Sequence, residues 1–233
     1  MSKLNYFNFP VCLLEDWMTN IKNCLNNISY YSVYAYYATI RDEDEDEDED
    51  QLTFERATNK FNIKFGSKKE AWKTGKKLYE NIPSNAPYTG IRLGTYWEFY
   101  KNEKTEFENV TLLAYLAIKS ILAEKAYCRI TNNFLLARMA GYNTAVADPC
   151  ELPNSLRPYA NHYQLRKIRQ ELIDKWRLTI YARYTRGFFV SKKMGLDELA
   201  RLVLLKSRKV RMKRNTKKEN RAREKALASI YGD

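Results

Sequence analysis

Residues 178–190 limit the fold more than any other stretch. Leu178-Thr179-Ile180-Tyr181-Ala182-Arg183-Tyr184 alternates strictly, Thr185-Arg186-Gly187 supplies a turn, and Phe188-Phe189-Val190 resumes the apolar run. An alternating stretch and an apolar one joined by a short turn predict an antiparallel hairpin, with Gly187 where the backbone needs a positive φ. The segment that feeds it has another period. From Asn161 the residues Leu165, Ile168, Leu172 and Trp176 recur every three or four positions. That spacing predicts a helix with these residues inward and Arg166, Lys167, Arg169 and Gln170 outward. A helix running directly into a tight strand pair makes a small α+β unit, and its exposed face here is basic.

Upstream of that helix, Val110, Leu112, Leu113, Leu116, Ala117, Ser120 and Ile121 predict a strongly amphipathic helix. Thr131 is placed to cap a short one over Asn132–Ala140, which Gly141 closes. A loop carrying Pro149, Pro153 and Pro158 separates it from Asn161.

The first half follows a similar order without matching in sequence. Residues 13–40 read as helix, from Leu13, Leu14, Trp17, Ile21 and Leu25 into an aromatic segment, Tyr30 to Tyr37. Leu52 to Phe61 reads as a short helix, Gly66 as its stop and Ser67 as the N-cap of a second helix, Lys68 to about Asn81. In that helix Ala71, Gly75, Leu78 and Ile82 face inward, while Lys68, Lys69, Trp72, Lys73, Lys76 and Lys77 occupy the other sides. Pro83 and Pro87 end it, and Thr89–Tyr100, rich in β-formers and broken by glycine, predicts a second hairpin. Leu196 to Asp233 is helical by composition, with 12 Lys and Arg against three acids from Arg201 onward.

The charge is large and segregated. Net charge is +12, yet nine of the 28 acids form one unbroken run, Asp42 to Asp50, so the rest of the chain carries +21. Nine adjacent like charges cannot be buried, so the run reads as an insertion in solvent, either a loop or a frayed helix end. Three roles remain open for it: a solvated loop, an intramolecular mimic of DNA lying over the basic helices, or a binding site for a basic partner.

What the chain lacks narrows its chemistry. A single histidine, His162, leaves no zinc site and none of the clustered histidines of metal-dependent HUH nucleases. The His-x-x-Arg pattern of tyrosine recombinases is missed by one position at His162-Tyr163-Gln164-Leu165-Arg166. Neither a G-x-x-x-x-G-K-[ST] loop nor a G-x-G-x-x-G fingerprint occurs. The expectation is therefore a non-enzymatic protein with no cofactor, no metal and no evident small-molecule substrate. Cys12, Cys24, Cys128 and Cys150 show no pairing pattern and read as reduced thiols. Without a long apolar span or a signal-like start, the chain is expected to be cytoplasmic and away from membranes.

Helix, short helix, Gly-containing turn, basic helix, hairpin is an order that resembles the winged helix-turn-helix, here twice in tandem over roughly 13–103 and 106–193. The resemblance is strongest at Leu112–Ala117, Thr131–Gly141 and Arg166–Val190; in the first half it rests on Phe65-Gly66-Ser67 and the helix after it. The long proline-rich loop between Gly141 and Asn161 departs from the family's tight turn. The resemblance implies a mainly α chain with small β-hairpins. Residues 1–105 would form a first winged-helix-like domain interrupted by the acidic insertion at 42–50, residues 106–195 a second, and residues 196–233 a basic C-terminal helix. It also implies that the third helix of each unit enters the DNA major groove and that the hairpin tip touches a neighbouring groove or phosphate.

The residues carried over are Lys68, Lys69, Trp72, Lys73, Lys76 and Lys77 in the first unit. In the second they are His162, Gln164, Arg166, Lys167, Arg169 and Gln170, with Arg183 and Arg186 on the wing. Tandem winged helices in a chain of this size resemble the replication initiators of plasmids and other mobile replicons, by analogy of architecture. The expected partner is double-stranded DNA, for replication initiation or for transcriptional regulation of a mobile element. The Tyr30–Tyr37 segment reads as core and homodimer surface. Rival readings are a protein–protein interaction module whose charges serve solubility, and a DNA-processing enzyme.

Overall fold

The computed structural model describes residues 5–41, 47–184 and 186–231. The chain opens with a strand, β1 (Tyr6–Pro10), in which Phe7 and Phe9 are buried and Tyr6 and Asn8 exposed, the period-two pattern of a half-covered strand. A single 3-10 turn, Val11–Leu14, follows, and α1 spans Ile21–Ile40 with Asn20 as N-cap. The helix expected from residue 13 thus starts at residue 21. Leu13, Leu14 and Trp17 belong to the turn and loop before it, with Leu14 and Trp17 buried there.

α2 spans Glu47–Phe61 and takes in the last four acids of the charged run; residues 42–46, the rest of that run after Arg41, lie outside the described residues. Asn62, at φ 55°, turns the chain out of α2. Asparagine tolerates this left-handed conformation, so the stop lies four residues before Gly66. α3 spans Lys68–Glu80, and the Ser67 hydroxyl accepts from the Glu70 amide at 3.2 Å, as expected for its cap. α3 packs on α1 at Ala71 and Gly75, both buried. A Cβ on Gly75 would lie 2.6 Å from the Tyr30 carbonyl oxygen, so the approach requires glycine. Around that contact Tyr31, Tyr34 and Tyr37 are buried as core.

The hairpin expected over Thr89–Tyr100 does not form. Tyr88–Arg92 is a strand, β2, whose partner is β1, with Phe7 opposite Ile91. The chain then enters a helix, α4 (Leu93–Lys101), that buries Tyr96 and Phe99. Tyr96 meets Phe7 edge-on at 4.9 Å, and the aromatic content that suggested strands serves a helix face instead.

α5 (Glu106–Leu122) begins with a reciprocal capping box between Thr105 and Glu108. It is buried on almost every side, from Val110 to Leu122, rather than along one stripe. β3 (Tyr127–Thr131) leads into α6 (Asn132–Met139), capped by Thr131 and closed by Gly141 at φ 83°, as expected. The proline-rich loop holds two 3-10 turns, Pro149–Glu151 and Arg157–Tyr159. α7 (His162–Asp174), capped by Asn161, precedes β4 (Thr179–Tyr184) and β5 (Gly187–Ser191). The three strands form one antiparallel sheet in the order β3-β5-β4. A last helix, α8, runs Leu196–Tyr231.

The protein is therefore mainly α with two small antiparallel sheets, and most of its buried apolar side chains form one cluster running from Phe7 to Val190. α5 stands in the middle of it. Hydrogen bonds tie α5 to the first half: the Trp17 indole donates to the Asn109 carbonyl at 3.1 Å, and the buried Thr89 hydroxyl to the Leu116 carbonyl at 2.8 Å. The four cysteines are free thiols, and burial pushes Cys24 up to about 12. Among the described residues no helix is long and apolar enough to cross a membrane.

Candidate nucleic-acid interface

α7 owes its position to one buried stripe, Leu165, Ile168, Arg169 and Leu172, set against α5 and β4. Its opposite face is open: His162, Tyr163, Arg166, Lys167 and Gln170 are exposed and Gln164 half-buried. The Lys167 ammonium lies 4.6 Å from the centroid of the Tyr163 ring, which is 63% exposed, so an aromatic and a cation share this surface. The sequence reading passed over Tyr163, although its place one turn before Lys167 puts both on one face. Gln170 donates to both carboxylate oxygens of Asp174, at 3.1 and 2.9 Å, which ties up its amide along the helix.

Arg169 does not face outward. It is 8% exposed; one guanidinium nitrogen donates to the Asn132 side chain at 3.4 Å, and the group lies 5.6 Å from the Phe188 ring. Burial, with Arg166 nearby, pushes its pKa below the ordinary arginine value. The backbone N–H of Asn132 also donates to the Arg186 carbonyl at 3.1 Å, so the residue links α6, α7 and the hairpin tip. Arg169 thus supports the surface from behind.

The hairpin tip falls where the sequence puts it, with Arg186 exposed on it; the Arg183 side chain and Thr185 lie outside the described residues. Gly187 is required for a different reason than positive φ. A Cβ there would lie 2.5 Å from the Ile130 carbonyl oxygen, so the residue is glycine because β3 passes close beside it.

In the first half, Lys69, Lys73 and Lys77 project from α3 into solvent and meet no carboxylate among the described residues. Lys68 pairs with Glu55 of α2 instead. Lys76 is divided between the Trp72 ring, 5.2 Å away, and Glu80 at 3.9 Å. Trp72 itself is half-buried and meets Tyr34 edge-on at 5.9 Å, which makes it a packing residue at the rim of this face. β2 pairs with β1 and leads into α4, so among the described residues no hairpin follows α3 to act as a second wing.

The most exposed basic element is α8. Every residue from Arg208 to Glu224 is exposed, and Lys and Arg dominate that stretch. A search of protein families, curated proteins and solved structures returns no match to this chain.

Proposed function

We propose that the chain binds double-stranded DNA, with α7 in the major groove and the β4–β5 tip on neighbouring phosphates, as a winged helix-turn-helix does. One observation carries the reading: an open face bearing Arg166, Lys167 and Tyr163 lies on the helix that leads into the hairpin, in a unit ordered helix, strand, helix, helix, strand, strand. Its 13 residues give a length of about 20 Å, enough to lay several side chains along a groove. Lys69, Lys73 and Lys77 on α3 offer a second contact, and α8 adds positive charge that neutralises backbone phosphates. A binding protein with two reading helices suits replication initiation or transcriptional regulation of a mobile element, and no catalytic step is assigned to it.

Duplex affinity measured against salt tests this reading. Contacts to Z phosphates give a log–log slope of about −0.9Z, and each phosphate contact removed lowers its magnitude by about one. Replacing Arg166 and Lys167 together by Ala should weaken binding and flatten the slope while the fold survives, because both side chains project into solvent. A steep wild-type slope left untouched by that variant and by Lys69→Ala/Lys73→Ala would overturn the assignment.

A further inference from the structure

Between Asn109 and Leu122, α5 carries a single charged residue, Lys119, on the turns that pack the two halves together. Its ammonium donates to the Gly90 carbonyl on β2 and lies 5.3 Å from the centroid of the Tyr6 ring and 5.7 Å from that of Tyr115. Each ring serves a second cation. The Arg92 guanidinium sits 5.8 Å from Tyr6 and donates to its hydroxyl at 2.9 Å, and the Lys192 ammonium lies 5.9 Å from Tyr115. Tyr115 stacks at 4.5 Å on Trp176, whose buried indole N–H has no partner.

Three cations from β2, α5 and the segment after β5 thus converge, and among the described residues no carboxylate pairs with any of them. Gathering like charges costs energy, and partial burial raises the cost. Burial, with Lys192 and Arg92 nearby, pushes Lys119 down to about 8. Tyrosine rings can hold ammonium groups without neutralising them, so the charges stay available to an anion. The site is open to solvent, since Arg92 is exposed and Tyr6 is 43% exposed.

We propose that Arg92, Lys119 and Lys192 form a binding site for a phosphoryl group at the junction of the two halves. An arginine fork with two ammonium groups exceeds what one carboxylate neutralises and suits a tetrahedral oxyanion bearing up to two charges. The phosphoryl group comes either from a free phosphate ester or from a nucleic-acid backbone. None of the three cations belongs to α7, and the proposal stands without the DNA reading.

Titration calorimetry of the full chain with inorganic phosphate and with adenosine 5′-monophosphate tests it. Saturable binding of both is expected, weakened at least tenfold by Lys192→Gln or Arg92→Gln and unchanged by the exposed-charge control Lys125→Gln or by Arg166→Ala/Lys167→Ala. Circular dichroism and melting confirm that each variant is folded. No saturable binding, or equal weakening by Lys125→Gln, overturns the proposal. A short duplex added to the loaded protein identifies the source. Displacement of the mononucleotide, with duplex affinity also lowered by Lys192→Gln, assigns the site to backbone phosphate; an undisplaced mononucleotide assigns it to a free ester. Phosphate binding with no duplex binding at all would end the DNA reading and leave this site standing.

Discussion

Arg169 and Lys119 sit on apolar helix faces, where residue type argues one way and spacing the other. Positions 165, 168, 169 and 172 are an i, i+3, i+4, i+7 stripe, so the periodicity of α7 already placed Arg169 inward, and treating every arginine as exposed hid it. Its hydrogen bond to Asn132 suggests a stabilising role, and Arg169→Ala should lower the melting temperature while its effect on the salt slope of duplex binding stays small. Leu172, fully buried on the same stripe, should cost ~2–5 kcal/mol when cut to Ala, through lost burial and a cavity. A denaturant titration that barely moves would show that α7 does not pack as described. Lys119 gives a pH dependence. An unfolded lysine titrates near 10.4, whereas folding pushes Lys119 down to about 8. Below pH 8 both states are protonated and the folded state bears the whole cost of the buried charge. Between the two values the unfolded chain holds more protons, so the contribution of Lys119 to stability rises with pH. Arg92, Lys192, Tyr6 and Tyr115 face it, so the quantity to follow is the stability of wild type minus that of Lys119→Met. That difference should rise from pH 8 upward, and a flat difference would remove the desolvated lysine.

At the scale of elements, what was legible in the sequence is what is specified locally. The Thr131 and Asn161 caps, the Ser67 cap and the β4–β5 turn each depend on residues within a few positions of one another, and all four stand where their residues put them. β1, β2 and β3 were not legible in the same way. Tyr6 pairs with Arg92 and Tyr127 with Ser191, and no local pattern encodes a partner that distant. The Leu13–Leu25 spacing misled because a 3-10 turn and a loop can place leucines inward at helical intervals. α5 lost its amphipathic character for a tertiary reason, since both halves pack against it. Gly187 marks where the hairpin joins β3, and Gly187→Ala would force a Cβ against the Ile130 carbonyl oxygen. The expected outcome is loss of protection from hydrogen exchange at the amides paired between β3 and β5, with the β4–β5 pairs less affected. Equal protection in variant and wild type would mean that the strands are further apart than described.

Over the whole molecule, the described end of the acidic run belongs to α2, and one ion pair joins α2 to the basic α3. The last four acids of the run, Glu47 to Asp50, fall within α2. Farther along, Glu55 of α2 pairs with Lys68 at the start of α3, which ties α2 to the helix that bears Lys69, Lys73 and Lys77. A segment of nine negative charges covalently joined to that helix would act at high effective concentration and would compete with phosphate for Lys69, Lys73 and Lys77 wherever it reached them. If it covers them, duplex affinity falls by the fraction of molecules left uncovered. Replacing Asp42 to Asp50 by Ser and Gly should then tighten duplex binding, most strongly at low salt, where screening is weakest. General repulsion between an acidic patch and DNA predicts a gain too, so the comparison needed is a variant in which the same number of acids is removed elsewhere on the surface. A larger gain for the Asp42–Asp50 variant, abolished when Lys69 and Lys73 are also replaced by Ala, would place the competition on α3. Equal gains in the two variants would mean that the run acts through net charge alone and leaves the α3 face uncovered.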